Sequence, residues 1–302
     1  MTGPIDEARF DRQISLFGLD GQVALERCSV AIVGLGGLGS HVSQQLAYLG
    51  VRKLTLIDMD IVTRSSLNRV IGATPEDAEA GRSKVEVGER EVLRILPRAV
   101  VSAVPASFVS EQAFAAVRNV GLLFGCLDND PIRFALNEFA QAYQIPYMDL
   151  ASDTHQESDG EVGFGGRILY SVGGERCLVC CDLLDSRALD WAFSTDRQRA
   201  ETDAIYGVPR GDLGGTGPAV VSLNGTLASL AVTEFMVEQV DLRAAERHIE
   251  YRGMGGLFGV RVDRSAPAPD CYYCKELYGK GDAADLLRYV REGWGARISD
   301  RG

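Results

Sequence analysis

The sequence predicts an α/β fold: a doubly wound, mostly parallel sheet with helices on both faces and an antiparallel extension in its C-terminal half. Three observations predict it. Short apolar runs alternate with segments of helical period through the first half of the 302 residues, which is the pattern of βαβ units. The first of those runs, SVAIV at 29–33, leads straight into GLGGLG at 34–39, a glycine turn between strand and helix. The second half drops the alternation and offers a strand, a long apolar helix and a hairpin instead. With 46% hydrophobic residues there is ample material for a core, in one large domain or two smaller ones.

Ser29–Val33 is the first strand, and the helix after the glycine turn has Val42, Leu46 and Leu49 spaced for one apolar face. Lys53 to Ile57 is the second strand and ends at Asp58; the connection makes the two strands parallel. Val100–Val104 reads as a strand, Glu111–Val117 as a helix, Gly121–Cys126 as a buried strand, Pro131–Tyr143 as a helix and Pro146–Leu150 as a strand. Gly163–Val172 is a strand that closes on the Gly173-Gly174 turn. Asp185–Gly215, polar and glycine-rich near its end, reads as a long mobile loop with room for a short helix. Pro218–Val240 is a long helix with few charges, suited to burial against the sheet or a partner subunit. His248–Arg252 and Leu257–Asp263 read as a hairpin, and Asp282–Arg291 as a short amphipathic helix.

Composition removes several classes. The formal net charge is −11 and the acids are dispersed, which argues against a nucleic-acid surface. No apolar run is long enough for a bilayer, and the N-terminal MTGPIDEARF has no charged-then-apolar leader. The expected setting is the cytosol, where seven cysteines are not a disulfide framework and close pairs suggest a metal or catalysis.

Gly34, Gly36 and Gly39 occupy the key places of G-x-G-x-x-G. Glycine lets the backbone turn tightly and approach phosphates, and the helix N-terminus behind it favours anions. Asp58 ends the next strand, where a carboxylate can accept from ribose hydroxyls. Ser65-Ser66-Leu67-Asn68-Arg69 and Gly81-Arg82-Ser83-Lys84 follow. Arg69 and Lys84 can be aimed back at the glycine turn, and Asn68 can donate to a phosphate oxygen. A pyrophosphate needs no such second set of cations, so the cluster points to a triphosphate, ATP rather than NAD. Asp128 and Asn129 lie at the C-terminal end of an apolar strand, the edge where open α/β sheets bind ligands. A carboxylate there can hold Mg²⁺ against phosphates; the plainer reading of this stretch is a cap for the following helix.

These stretches together resemble the ubiquitin-activating-like superfamily, in particular the compact ThiF, MoeB and HesA adenylyltransferases. The matching segments are FDRQ at 10–13, VGLGGLGS at 33–40, DMDIVTRSSLNR at 58–69, GRSK at 81–84, CLDND at 126–130 and two Cys-x-x-Cys pairs. The resemblance implies a Rossmann-like ATP-binding adenylation half at 1–175. Residues 176–302 would supply the crossover loop, long helix, hairpin and zinc knuckle of the same domain. It implies attack on the ATP α-phosphate by the C-terminal glycine carboxylate of a small ubiquitin-like or sulfur-carrier protein, with pyrophosphate leaving. It assigns Arg69, Lys84 and Asn68 to the phosphates, Asp128 to Mg²⁺ and Asp58 to the ribose. Gly34, Gly36, Gly37, Gly39, Asp60, Ser65 and Asn129 complete the nucleotide contacts. Arg12 would reach the site of the neighbouring subunit of a homodimer, in the manner of an arginine finger. Two positions depart from the pattern: Ser66 stands where the family has Asn, and Val70 where it has Gln.

Cys177-Leu178-Val179-Cys180 and Cys271-Tyr272-Tyr273-Cys274 form two knuckles. Four thiolates suit a tetrahedral structural Zn²⁺, though the separation is far longer than in a zinc ribbon, and two unrelated pairs or one redox pair fit the spacing as well. The family's zinc knuckle favours Zn²⁺ at Cys177, Cys180, Cys271 and Cys274. The stretch from Asp185 to Gly217 contains no cysteine, where many relatives carry a reactive one; Cys181 is a weak substitute. Cys28 and Cys126 read as structural thiols, and His41, His155 and His248 are scattered. Other readings are a relative that adenylates a peptide or a tRNA-linked amino acid, a non-catalytic subunit that binds ubiquitin-like proteins, and, weakest, a NAD dehydrogenase.

Overall fold

Alternate residues of the central strands feed two separate cores, and this two-sidedness determines the architecture. A computed structural model of the chain describes residues 5–156, 162–194, 219–253 and 259–294. Its strands are β1 (Ser29–Val33), β2 (Lys53–Ile57), β3 (Val100–Val104), β4 (Leu122–Gly125), β5 (Tyr147–Gln156), β6 (Val162–Ser171), β7 (His248–Arg252) and β8 (Gly259–Val262). The principal helices are α1 (Glu7–Arg27), α2 (Gly37–Leu49), α3 (Pro75–Glu79), α4 (Lys84–Ile95), α5 (Glu111–Val117), α6 (Asp130–Ala142), α7 (Ser186–Phe193) and α8 (Val221–Gln239). Two short ones, α9 (Tyr272–Lys275) and α10 (Arg288–Arg291), follow.

The eight strands form one sheet in the order β3-β2-β1-β4-β5-β6-β7-β8. The five from β3 to β5 are parallel, and β6, β7 and β8 continue antiparallel. Val30, Ile32, Leu54, Leu56, Leu122 and Phe124 point to a core shared with α2, α4 and α8. Their neighbours Ala31, Val33, Ile57 and Leu123 point to the opposite core, with α5 and α6. Both faces of the central strands are thus dry, which is why they read as continuous apolar runs.

Several expectations need correction. α1 was not foreseen; Asp6 caps it, accepting from the Arg9 N–H at 3.1 Å, and Phe10 and Leu25 anchor it in the core. Cys28, just before the first strand, is the C-cap of α1. The single helix expected over Asp282–Arg291 is a 3₁₀ turn at Gly281–Ala284 and α10, parted by Asp285 in the left-handed region at φ 50°. The short helix for which Asp185–Gly215 has room is α7, and residues 195–218 lie outside the described residues. Among the described residues no helix is long and apolar enough to cross a membrane.

Candidate functional site

The strand order reverses between β1 and β4, and connections that diverge there open a crevice at the carboxyl edge. Both loops at that edge carry singled-out residues. Gly34 sits at φ 91°, and a Cβ on it would lie 2.5 Å from the Cys126 carbonyl, so the β1 and β4 loops touch through backbone. A Cβ on Gly39 would lie 1.8 Å from the Gly34 carbonyl oxygen; only glycine lets α2 start so tightly on the turn. Gly36, the N-cap of α2, has no side-chain cap, and its Cβ direction meets open space. The turn therefore offers free N–H groups and a helix N-terminus to an anion.

Asp58 fixes this turn from β2. Its Oδ2 accepts from the Leu35 N–H at 2.6 Å and its Oδ1 from the Asp60 N–H at 2.8 Å. Burial pushes its carboxyl above the ordinary value; the Lys84 charge and the two N–H groups oppose that without cancelling it. Lys84 Nζ lies 2.6 Å from Asp60 Oδ2, and the Lys84 N–H donates to the Asp60 carbonyl at 3.0 Å. That juxtaposition rests on local chemistry. An antiparallel bridge joins Ile61 to Ser83, and the Val62 N–H donates to the Arg82 carbonyl at 2.7 Å. Asp77, 2% exposed, holds Arg82 at 2.9 Å and Arg90 at 2.7 Å while accepting from Thr74.

The chain just past the stretch 65–69 is pinned to α2 by Ser40, whose Oγ accepts from the Ile71 N–H at 3.1 Å. Arg69 Cβ borders Gly37, 3.6 Å from where a Cβ there would stand. The Arg69 guanidinium bonds the Ser65 carbonyl and reaches Asn68 Oδ1 at 3.3 Å. Ser65 Oγ lies 2.9 Å from Thr63 Oγ1. The two departures face inward: Ser66 is buried and spends its hydroxyl on the Thr63 N–H at 3.2 Å, and Val70 is buried.

In the β4–α6 loop Asp128 is exposed, two residues past the carbonyl that touches Gly34. Asn129 caps α6, its Oδ1 accepting from the Ile132 N–H at 3.2 Å, so the capping use is present. Behind the loop, Arg133 pairs with Asp130 and with buried Asp149, which also accepts from the Tyr147 hydroxyl at 2.7 Å. Asp130 Oδ2 in turn accepts from the Asp185 N–H at 2.7 Å. This network ties the floor of the crevice to the start of the following segment.

Arg12 does not join the others. It is exposed on α1, beside Gln13, whose amide donates to the Tyr48 carbonyl at 2.9 Å near the far end of α2. At 1.5 Å rise per residue, Gly37 lies about 17 Å from Tyr48.

Away from the crevice the two Cys pairs meet. All four cysteines are buried; Cys177 Sγ lies 3.7 Å from Cys271 Sγ and 3.8 Å from Cys180 Sγ, and Cys180 Sγ 3.8 Å from Cys274 Sγ. A disulfide needs about 2.0 Å. A tetrahedron of ~2.3 Å Zn–S bonds has S···S edges of about 3.8 Å, so the donor set fits Zn²⁺. Cys181 packs at its edge, half-buried, its N–H on the Cys177 carbonyl at 3.1 Å. His248 pairs with Asp263 at 3.0 Å, with Glu250 beside it.

Ser40, Asp77, Arg133 and buried Asn224 were not singled out from sequence. For Asp77 the signal existed: Thr74-Pro75-Glu76-Asp77 is a capping box that marks a helix start.

A doubly wound sheet with a glycine turn at its switch point, a carboxylate after β2 and two cations beside it defines a Rossmann-like α/β protein with a distal four-cysteine knuckle. Within that class the chain belongs to the ThiF family, whose model matches residues 10–272. It is similar to "Adenylyltransferase and sulfurtransferase MOCS3" of Drosophila yakuba, 30% identical over 280 residues, 89% of this chain and 53% of the relative. It thus spans about half the length of that relative. It is 36% identical to the molybdopterin-synthase adenylyltransferase of Escherichia coli (strain K12) over 183 residues, 58% of this chain and 72% of the relative. In fold it resembles the crystal structure of E. coli MccB with ATP, at a TM-score of 0.66 and 18% identity, over 89% of this chain and 75% of that one.

Proposed function

We propose that the chain is an ATP- and Mg²⁺-dependent adenylyltransferase that activates the C-terminal glycine carboxylate of a small ubiquitin-like or sulfur-carrier protein. The observation that carries this is the meeting of Gly34–Gly39, Asp58, Arg69 and Lys84 at one switch-point crevice, with the Asp128 loop against it, in a chain of the ThiF family. The relatives' names, an adenylyltransferase and sulfurtransferase and a molybdopterin-synthase adenylyltransferase, support the same chemistry.

A carboxylate is already a nucleophile, so no base is required. What the reaction needs is alignment on the α-phosphate and neutralisation of charge on the departing pyrophosphate. Asp58 would take the ribose hydroxyls, the glycine turn the phosphates, and Arg69, Lys84 and Asn68 the terminal phosphates. Lys84 would exchange Asp60 for phosphate oxygen. Asp128, exposed in the loop, would hold Mg²⁺, which would screen the triphosphate. Arg12, held at the far end of α2, would serve the partner subunit of a homodimer. Zn²⁺ in the knuckle would be structural, pinning residues 176–302 to the nucleotide-binding half at 1–175 within one domain, in a cytosolic protein.

The test is ATP–pyrophosphate exchange with a candidate carrier ending in glycine. Exchange is expected for the wild type and lost in Arg69→Ala and Asp128→Ala. Full exchange in both variants would overturn the site assignment.

A further inference from the structure

Asp60 and Lys84 are held together twice. The Lys84 N–H donates to the Asp60 carbonyl at 3.0 Å, and Lys84 Nζ lies 2.6 Å from Asp60 Oδ2. The main chain fixes the pair from both sides. The bridge between Ile61 and Ser83 follows Asp60 and precedes Lys84, and the Val62 N–H donates to the Arg82 carbonyl at 2.7 Å. The Asp60 N–H donates to Asp58 Oδ1 at 2.8 Å, and Asp58 Oδ2 accepts from Leu35 in the glycine turn. The ammonium nearest the turn thus rests on a carboxylate of the same loop.

The two side chains sit in different surroundings. That of Lys84 is 12% exposed and that of Asp60 57%. A cation with so little water around it needs an anion, whereas a carboxylate this open is hydrated whether or not the ammonium stays. The pair is therefore suited to exchange: one anion can replace another on Lys84 at small cost to Asp60. The other cations of this region differ. Arg82 and Arg90 are committed to buried Asp77. Arg69 leans on the neutral Ser65 carbonyl and Asn68 Oδ1, so a phosphate meeting it displaces no charge. At Lys84 an arriving phosphate competes with a carboxylate.

We propose that Asp60 sets the affinity of the crevice for pyrophosphate. It is the resting counter-ion of Lys84, yields the ammonium to the β- and γ-phosphates, and takes it back as pyrophosphate leaves. This rests on the adenylation reading, and it makes Asp60 a positioning residue that acts through Lys84 rather than a contact of the nucleotide. In that step a carboxylate oxygen bonds to the α-phosphorus while the bond from that phosphorus to the bridging oxygen breaks. The electron pair leaves with pyrophosphate, and no proton moves. Lys84 neutralises the charge that grows on the leaving group, and the same attraction would retain the product. A competing carboxylate 2.6 Å from the ammonium weakens that retention. It leaves the adenylate alone, which Asp58 and the glycine turn would hold.

Isothermal titration of the full chain with Mg-pyrophosphate and, separately, with AMP tests the assignment in wild type, Asp60→Asn, Lys84→Gln and the double variant. Asp60→Asn is isosteric and keeps both main-chain bonds of Asp60, so Tm should hold. Its Kd for pyrophosphate should fall roughly 3- to 10-fold, with AMP binding at the wild-type value. In the Lys84→Gln background the same change should alter that Kd by less than about twofold, because an exposed charge acting through water alone is screened. Unchanged or weaker pyrophosphate binding in Asp60→Asn overturns the proposal. So does an equal gain in both backgrounds, which would make Asp60 a plain source of repulsion. A loss of AMP affinity in Asp60→Asn would mean that Lys84 turns to Asp58, and overturns it as well. A wild type that binds neither AMP nor pyrophosphate would instead sink the adenylation reading itself, and this inference with it.

Discussion

Gly39→Ala is the sharpest perturbation of the phosphate turn. The new methyl would lie 1.8 Å from the Gly34 carbonyl oxygen, where carbon and oxygen need roughly 3.3 Å or more. About 1.5 Å must be found, and the clash is with backbone, so no side chain can swing away; the turn itself has to open. Overpacking of this kind costs about 1–3 kcal/mol. The nucleotide would also lose the alignment of several N–H groups, each about 1.5–3 kcal/mol toward a charged acceptor. The expected outcome is a fall of a few degrees in Tm and a loss of at least about a hundredfold in Mg-ATP affinity, by thermal melt and isothermal titration. Gly36→Ala is the control. Its methyl meets open space at φ −72°, so Tm should hold while affinity falls, because that space is where the nucleotide would lie. Wild-type Mg-ATP affinity in Gly39→Ala would refute the reasoning.

Burial raises the Asp58 carboxyl, so its ionised form costs the free protein stability above that raised pKa, and acidification releases the cost. Nucleotide affinity should fall as pH drops through it, at higher pH than a carboxylate of pKa about 3.9 would cause; titration across pH should find this dependence flattened in Asp58→Asn. Arg12→Ala and Arg69→Ala should each abolish exchange, yet a re-associated mixture should recover about a quarter of the activity, since half of a symmetric population pairs one intact site. No recovery would place Arg12 outside the partner's site. Metal analysis should find Zn²⁺ bound, and chelation or Cys271→Ser should lower Tm sharply, given ~10–16 kcal/mol for model zinc fingers; a metal-free protein melting like the wild type would remove the ion from the account.

Much of the nucleotide half was legible because its signals are local. A strand buried on both faces, a glycine turn and a helix of regular apolar period each declare themselves within a dozen residues, and β1, β2 and β3 fall where the residues place them. α4 was passed over although Ser83 and Glu86 form a capping box at its start. α1 was harder: charged residues run through it and Gly18 breaks its helical geometry at φ 75°. The contacts of Asn224 and Arg133 are not local at all. Asn224 packs against Gly37, on a helix far away in sequence, and Arg133 pairs with Asp149 across the strand edge. The cysteine pairs are intermediate: each knuckle is visible, but only folding brings Cys177 to 3.7 Å from Cys271.

The central claim is that the crevice trades pyrophosphate for a protein tail. Intact-mass spectrometry of a glycine-ended carrier, incubated with the chain, ATP and Mg²⁺, tests it most directly. The account predicts one AMP added to the carrier, and none when Lys84→Ala replaces the wild type. An unmodified carrier alongside a chain that binds Mg-ATP, across the range of carriers ending in glycine, would contradict it.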